Sequence, residues 1–568
     1  MMRRAASFAL GVLLGGGYAH AGTPAVHDSL TRTQPPRIIA RIAIETGDVI
    51  PPWSYEAQTA SNPAVQWLYR VVNWSHIKTK PEIVERELLF AVGDTLDPLK
   101  LDESERILRA YPFINEAEIT VTPLGPGEVE VNARTSDNYS LAPGLIFESG
   151  GGTSEYGLLL IEKNLFGLGK EVAGQYVLER NSTRNSTESS YLLQYKDPRL
   201  FRSHFALNSF LSHETLGDEV SLSVARPFYS VRTRLASGAD FDWIEGRLRL
   251  WRNEFPVAEL PVHSLVSRAW MARAWGDPFR RIKLSGNVTY ADIKYPDPPL
   301  VSAGWLPRDT LRTARRSLEP TLALGREVTR EFRKMQDLDD YGVVEDVEIG
   351  WNAGVSAGFG FPSRPTDAAY GVAGASGQWS DVRGAHVTVV RGEAFLRVCD
   401  DIGAGRRTWS NLRTSAFLHH YYQGLPRQTL ALNVGWRGGW RMDPPYQLVL
   451  GGDVGLRGYH SNRFEGTRRV LINAEDRIFT PWRILTYAFG FVAFADAGYV
   501  WTQERPVRPQ DLRADVGFGL RVYNTRAATA RVSRLDIAFN LRGERGFLLA
   551  LGSEQLFDLF NKRPTPTR

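Results

Sequence analysis

Four consecutive residues, Leu456-Arg457-Gly458-Tyr459, and three short patterns downstream carry the side chains best suited to act on one another. The patterns are Asn473-x-Glu475-x-Arg477, Phe494-x-Asp496-x-Gly498 and Gly517-x-Gly519-x-Arg521. Each lies in a segment that alternates apolar and polar, so each turns its residues to one side of a strand. The chemistry on offer is electrostatic rather than covalent. Arginine presents a planar fork that grips carboxylates bidentately, and such charge-assisted bonds are roughly twice as strong as neutral ones. Arg457 on a loop is therefore expected to reach carboxylates on a wall of strands. Gly458 is expected to supply an unusual backbone angle. Tyr459 can pack its ring while its hydroxyl is bonded. Phe494, Gly498, Gly517, Gly519 and Arg521 are expected to line the same inner wall. An exposed loop arginine is the alternative, and the consistency of the downstream strands weighs against it.

Other candidate chemistry is weak. Gly354-Val355-Ser356-Ala357-Gly358 matches the G-x-S-x-G nucleophile pattern, which needs a strand–turn–helix elbow. Ser356 instead falls within an alternating segment, Trp351 to Phe361. His419 and His420 are adjacent, so on a strand they point to opposite faces and cannot chelate together. No metal cluster and no phosphate loop is found, and Cys399 is the only cysteine, so no intrachain disulfide can form. A catalytic centre, a cofactor and an enzymatic role are not expected. The formal charge of +5 falls to +3 without Arg3 and Arg4, too little to argue for nucleic acid.

These residues need elements to hold them. Arg3 and Arg4, the apolar stretch from Ala5 to Gly17 and Ala19-His20-Ala21 read as an export signal over residues 1–21. A polar, proline-bearing linker is expected at 22–36. Residues 37–137 read as a small α/β domain. Ile38 to Ile44 is its first strand. Asn62 caps a helix that begins at Pro63. A second helix from Pro81 is expected to run to Gly93-Asp94 with Ile83, Val84, Leu88 and Leu89 on one face. Leu101 to Ala110 is a third helix, and strands follow at Ile114–Thr122 and Glu128–Arg134.

From residue 138 to 557 short alternating segments recur between Gly, Asp, Pro and Asn clusters; a tail of residues 558–568 follows. Leu430, Leu432, Val434 and Trp436 alternate with Ala431, Asn433, Gly435 and Arg437. Val231, Thr233 and Leu235 read as one strand face, with Arg232, Arg234 and Asp240 on the other. A soluble β-sandwich would bury such repeated arginines unpaired, at a cost of several kcal/mol. A transmembrane barrel with a polar interior fits better. The outward row of Tyr487–Trp501 has aromatics at both ends and small apolar residues between. Fourteen steps of about 3.3 Å, tilted roughly 40°, cover on the order of 35 Å, the spacing of two aromatic girdles. Roughly fifteen segments precede the Arg457 loop and about five follow it. Sixteen strands are expected, with segments between Ser264 and Gln428 read as loop hairpins or halves of long strands; twenty is left open. Phe547 to Phe557 reads as the last strand, ending in an aromatic. The first contains Pro143 and Gly144, so a seam between first and last strands would be weak, with a frayed strand start as the alternative.

The α/β segment resembles a POTRA domain, the periplasmic module of outer-membrane assembly proteins. The likeness lies in Ile77-Lys78-Thr79-Lys80-Pro81, in Glu105-Arg106-Ile107-Leu108-Arg109 and in Pro112-Phe113-Ile114 leading to Ala117. One departure is a connection of about two dozen residues before the main helix, longer than usual. The remainder resembles the BamA/TamA-like superfamily of outer-membrane assembly and translocation proteins (the bacterial surface antigen barrels). That likeness rests on Glu162 to Gly169, Tyr195-x-Asp197-Pro198, Arg226-Pro227-Phe228-Tyr229, and Gly451-Gly452 through Tyr459. It implies a lumen-inserted loop in which Arg457 meets Asp496 and Glu475. It further implies a lateral seam formed by the strands of Pro143, Gly144, Phe547 and Phe557. The expected setting is the outer membrane of a Gram-negative-type bacterium, with the POTRA domain in the periplasm. The expected task is insertion of barrel proteins, or passage of a polypeptide or lipid. Expected partners are outer-membrane lipids and extended polypeptides captured at POTRA edge strands, with periplasmic chaperones or an accessory subunit as further candidates. A passive pore, and less so a barrel-tethered enzyme, are the rival readings.

Overall fold

The computed structural model describes residues 36–150, 153–181, 186–296, 300–301, 315–363, 369–401, 406–443, 446–502, 508–528, 532–542 and 546–552. The export signal, most of the linker, Phe557 and the C-terminal tail lie outside them.

The first unit is built on a three-stranded sheet of order β1-β3-β2. Its strands are β1 (Ile38–Gly47), β2 (Ile114–Gly125) and β3 (Glu128–Asp137), with β1 parallel to β3 and β2 antiparallel to it. Four helices lie between β1 and β2: α1 (Tyr55–Thr59), α2 (Pro63–Ser75), α3 (Pro81–Glu85) and α4 (Pro98–Arg109). The Asn62 side chain caps α2 by accepting from the Ala64 amide, and Pro63 takes the first position, where its missing N–H costs nothing. Helix α3 stops at Glu85, well short of Gly93. The chain turns there, and Glu87 leaves the helix line to meet Arg199. Leu89 N donates to Ser104 Oγ at 2.9 Å, while Ile83, Val84, Leu108 and Phe113 close one core.

The second unit is one antiparallel sheet of twenty long strands. Its first nine strands are β4 (Leu141–Gly150), β5 (Thr153–Glu162), β6 (Glu171–Asn181), β7 (Ser186–Asp197), β8 (Ala206–Glu214), β9 (Gly217–Arg226), β10 (Leu235–Arg252), β11 (Phe255–Asp277) and β12 (Arg280–Lys294). A two-residue strand, β13 (Leu300–Val301), pairs with β11. Six more follow: β14 (Arg315–Gln336), β15 (Val344–Pro362), β16 (Tyr370–Arg383), β17 (His386–Asp401), β18 (Arg406–Tyr422) and β19 (Gln428–Trp440). Two short strands, β20 (Leu448–Leu450) and β21 (Phe464–Gly466), pair with each other. The last five are β22 (Arg468–Ile484), β23 (Tyr487–Trp501), β24 (Arg513–Asn524), β25 (Val532–Asn540) and β26 (Phe547–Gly552).

The expected sixteen strands are thus corrected to twenty. The segments between Ser264 and Gln428 are neither halves nor side hairpins. Apart from β13, each is a full strand of 13 to 23 residues laddered to its neighbours. Val231 to Arg234 is also corrected, because it is a turn rather than strand; β10 begins at Leu235.

The sheet curls until β26 meets β4, where, among the described residues, Leu551 pairs with Ser149. Below the join, Tyr139 N donates to the Arg526 carbonyl at 2.7 Å, and Ala528 N donates to Tyr139 at 3.1 Å. Burial alternates along β23: Ala488, Val492, Phe494 and Asp496 are buried, whereas Tyr487, Phe491 and Ala493 are exposed. Among the described residues no helix is long and apolar enough to cross a membrane, which says nothing of strands.

The first unit sits across one mouth of the barrel, tied to several of its turns. Arg199 N–H groups meet Glu87, one at 2.9 Å. Arg109 grips Asp346 through two bonds of 2.9 and 2.7 Å. Arg232 reaches Asp97 at 2.7 Å, and the Val231 amide donates to Glu103 at 2.6 Å. Arg526 donates to Glu56 at 2.7 Å, and Asn164 to Thr79 at 2.8 Å. Burial pushes the Glu87 carboxyl up, but the Arg199 guanidinium, the Tyr111 hydroxyl and Arg86 draw it down further. It therefore lies below the ordinary carboxylate value.

Candidate functional site

The connection between β19 and β22 folds back into the barrel. Its base is the β20–β21 pair, and Leu450, Leu456, Tyr459 and Leu471 form a buried cluster around it. Arg457 stands at its inner end with 2% of its surface exposed. Its Nε and Nη2 donate to the two oxygens of Asp496 at 2.7 and 2.8 Å. Its Nη1 donates to Glu475 at 2.8 Å. The guanidinium also lies over the Phe494 ring, 3.5 Å from its centre, so the cation is held both at its edge and on its face.

The strand registers explain why these groups converge. Asn473 pairs with Asp496, and Glu475 with Phe494, across β22 and β23. The Asn473 amide donates to Asp496 and to the Gly455 carbonyl, both at 2.7 Å, bracing wall and loop together. Glu475 turns its other oxygen to Arg477 Nε at 2.9 Å. Arg477 continues to the Leu338 carbonyl at 2.8 Å and Asp339 at 3.0 Å, and Tyr421 donates to Asp339 at 2.8 Å. Arg521, fully buried, donates to Asp536 at 2.6 Å, and Asp536 lies 3.6 Å from Arg457. The outcome is a continuous band of alternating charge inside the barrel. Removing one member would leave its partners buried and unpaired, which costs about 3–5 kcal/mol.

The small residues make room for this band. A Cβ on Gly458 would fall 2.5 Å from that of Asp515. Gly458 is needed for space, and the expectation of an unusual backbone angle there is corrected; the left-handed angle belongs to Gly455, at φ 113°. A Cβ on Gly517 would enter the Phe494 ring at 2.3 Å, and one on Gly519 would meet the Asp536 carboxylate at 2.0 Å. Gly498 leaves space for Leu450 of the loop. The Tyr459 hydroxyl donates to the Arg542 carbonyl at 2.7 Å while its ring meets Phe464 edge-on.

Sequence reasoning missed Asp536, Asp339 and Tyr421. Asp536 had a legible signal, since it sits between Leu535 and Ile537 in an alternating strand. Asp339 had none, because it comes from a turn 138 residues before Arg477. Pro143 and Gly144 lie on β4 opposite Leu160 and Leu159 of β5. Phe547 opens β26 opposite Phe539 and is exposed. Ser356 lies mid-strand in β15, between Ala323 and Gly374. His419 faces inward and is buried, whereas His420 bonds Thr388 on the outer side. Among the described residues no group of three or more metal-ligating side chains is found.

No protein-family model and no curated protein matches the chain. Among solved structures it is similar to CdiB from Acinetobacter baumannii, at 12% identity over 97% of this chain and 96% of that one, with a TM-score of 0.44. It is also similar to BamA from Haemophilus ducreyi lacking POTRA domains 1–3, at 13% identity over 83% and 81%, with a TM-score of 0.36. CdiB from Escherichia coli matches at 10% identity over 95% and 92%, also with a TM-score of 0.36. These likenesses concern the course of the chain, and the functional reading below rests on the residues themselves.

Proposed function

We propose that the chain is an outer-membrane barrel that assists insertion of other barrel proteins, or passes a polypeptide or lipid across that membrane. The α/β unit would be its single POTRA-like domain, standing in the periplasm. The observation that carries this reading is a loop pinned inside the barrel through Arg457, Asp496 and Glu475, with the α/β unit tied across the barrel's mouth. The first and last strands, β4 and β26, meet at one join, and a barrel that parts there offers strand edges to an incoming strand. The edge of β2 offers a similar template on the periplasmic side, since among the described residues β2 pairs only with β3. No nucleotide pocket is needed, because folding of the client supplies the driving force.

A passive pore would have no use for a loop pinned across its lumen or a domain across its mouth. A barrel-tethered enzyme would need an exposed nucleophile, and Ser356 is a mid-strand residue. The test is a photo-crosslinker at Thr120, exposed on β2, in living cells. Capture of an unfolded outer-membrane polypeptide is the expected outcome, and capture of lipid alone would select the lipid branch. A large steady conductance of the unmutated protein in planar bilayers would overturn the proposal in favour of a pore.

A further inference from the structure

Helix α2 has thirteen residues and none of them is buried. Trp67 is 60% exposed and Trp74 is 86% exposed. They stand seven apart, two turns along one face, and exposed Ile77 follows. A neighbouring face is tied down. Asn73 bonds both the amide and the carbonyl of Ile50, at 3.0 and 2.9 Å. Two large indoles are thus held outward on a fixed helix, which a water-facing surface does not require.

The helix's position narrows what could cover them. Ser75 Oγ lies 3.3 Å from the Tyr139 hydroxyl, just before β4. Lys80 N donates to the Gly167 carbonyl at 3.1 Å, and a Cβ on Gly167 would strike the Lys78 carbonyl at 2.4 Å. That β5–β6 turn also carries the exposed Phe166. At the same end of the barrel Leu141, Trp482, Ile484 and Tyr487 are exposed. Trp482 packs edge-on against Phe491, which belongs to the outward row of β23. The C-terminal end of α2 therefore abuts the ring of large apolar residues that bounds the outer face. Its charge fits the same boundary. Residues 57–81 contain no Asp or Glu but do contain Arg70, Lys78 and Lys80, whereas Glu82, Glu85 and Glu87 follow at once.

We propose that α2 is an interfacial helix: Trp67 and Trp74 lie in the headgroup layer of the periplasmic leaflet, with Arg70, Lys78 and Lys80 against lipid phosphates. Indole rings favour that layer because one edge is apolar and the N–H is polar, and a basic polar face adds attraction to anionic lipid. The helix would hold the N-terminal domain beside the seam and fix its distance from the bilayer. This rests on the membrane reading of the barrel.

The test uses the full chain with Cys399→Ser, reconstituted in phosphatidylethanolamine–phosphatidylglycerol vesicles. Single cysteines at Trp74→Cys, Arg70→Cys, Leu124→Cys and Phe491→Cys carry bimane. A headgroup nitroxide lipid is expected to quench the position-74 label on the order of threefold more than the label at Leu124, the exposed hairpin tip of the same domain, with iodide showing the reverse. The label at position 70 repeats the measurement should position 74 disturb folding. Equal quenching by iodide at positions 74 and 124 would overturn the proposal. Shielding of position 74 from both quenchers would also overturn it, pointing to a protein cover. Position 491 separates the two claims. If a deep-chain nitroxide fails to quench it, the membrane reading falls; if it is quenched and position 74 is not, only the helix assignment falls.

Discussion

Deleting the Arg457 side chain would leave Asp496 and Glu475 facing each other's charge in a site with 1% and 3% exposure. Arg457→Ala is expected to cost about 3–5 kcal/mol, read as a lower temperature for loss of the heat-modifiable folded band. Arg457→Lys is expected to recover little. An ammonium cannot span both Asp496 oxygens and Glu475 while stacking on Phe494. Asp496→Arg is expected to expel the loop and open Gly452–Gly458 to protease. If heat stability and protease resistance are unchanged, Arg457 is not the loop's anchor. The partners of Arg457 could be read from alternation because β22 and β23 form one hairpin, so register fixes which residues meet. The further partners of Arg477 could not. Leu338 and Asp339 come from another hairpin, and nothing local in the chain says that this turn reaches the lumen wall.

Elements were legible where one periodicity runs uninterrupted and unreadable where tertiary contacts cut across it. Helix α2 and β23 follow their patterns end to end. Helix α3 does not, because the Glu87 side chain is drawn to Arg199 of the β7–β8 turn and the chain bends to let it reach. Val231–Arg234 alternates like a strand, yet its amide and guanidinium are taken by Glu103 and Asp97 of the docked domain. The latch has a consequence for pH. A carboxyl depressed in the folded state contributes stability above the ordinary carboxylate range, about 4.3, and loses it as pH falls through the depressed value. Because Arg199 holds Glu87 down, docking should persist from neutral pH to roughly pH 4 and loosen below it. Electron-resonance distances between spin labels at Leu124 and Phe201 should stay narrow over that range and broaden under it. Glu87→Gln should broaden them already at neutral pH. A distribution indifferent to both changes would mean that other contacts hold the domain.

At the scale of the whole molecule, the first and last strands of the ring meet where Leu551 pairs with Ser149. The twenty strands themselves were legible as roughly fifteen alternating segments before the loop and about five after it; the mistake lay in discounting that count. Closure could not be read, since alternation says which face a residue takes and not which strand lies beside it. The ring's other neighbours follow one another along the chain, so this join is where the wall can part without splitting a hairpin. If clients pass through it, a covalent bond across it must stop them without harming the barrel. Ser149→Cys with Leu551→Cys, in a Cys399→Ser background, places two thiols on residues that pair across the join, where Cβ atoms stand about 4.5–5.5 Å apart. Joining them with a short bifunctional thiol reagent should leave the heat-modifiable band at least as stable, while client insertion or release falls to the level of the empty vector. A reducible linker should restore it on cleavage. If the bridged protein works at full rate, the seam is not the route and the lumen must be. The Arg457 anchor would then have to release during each cycle, and Arg457→Ala would be expected to speed transport rather than impair it.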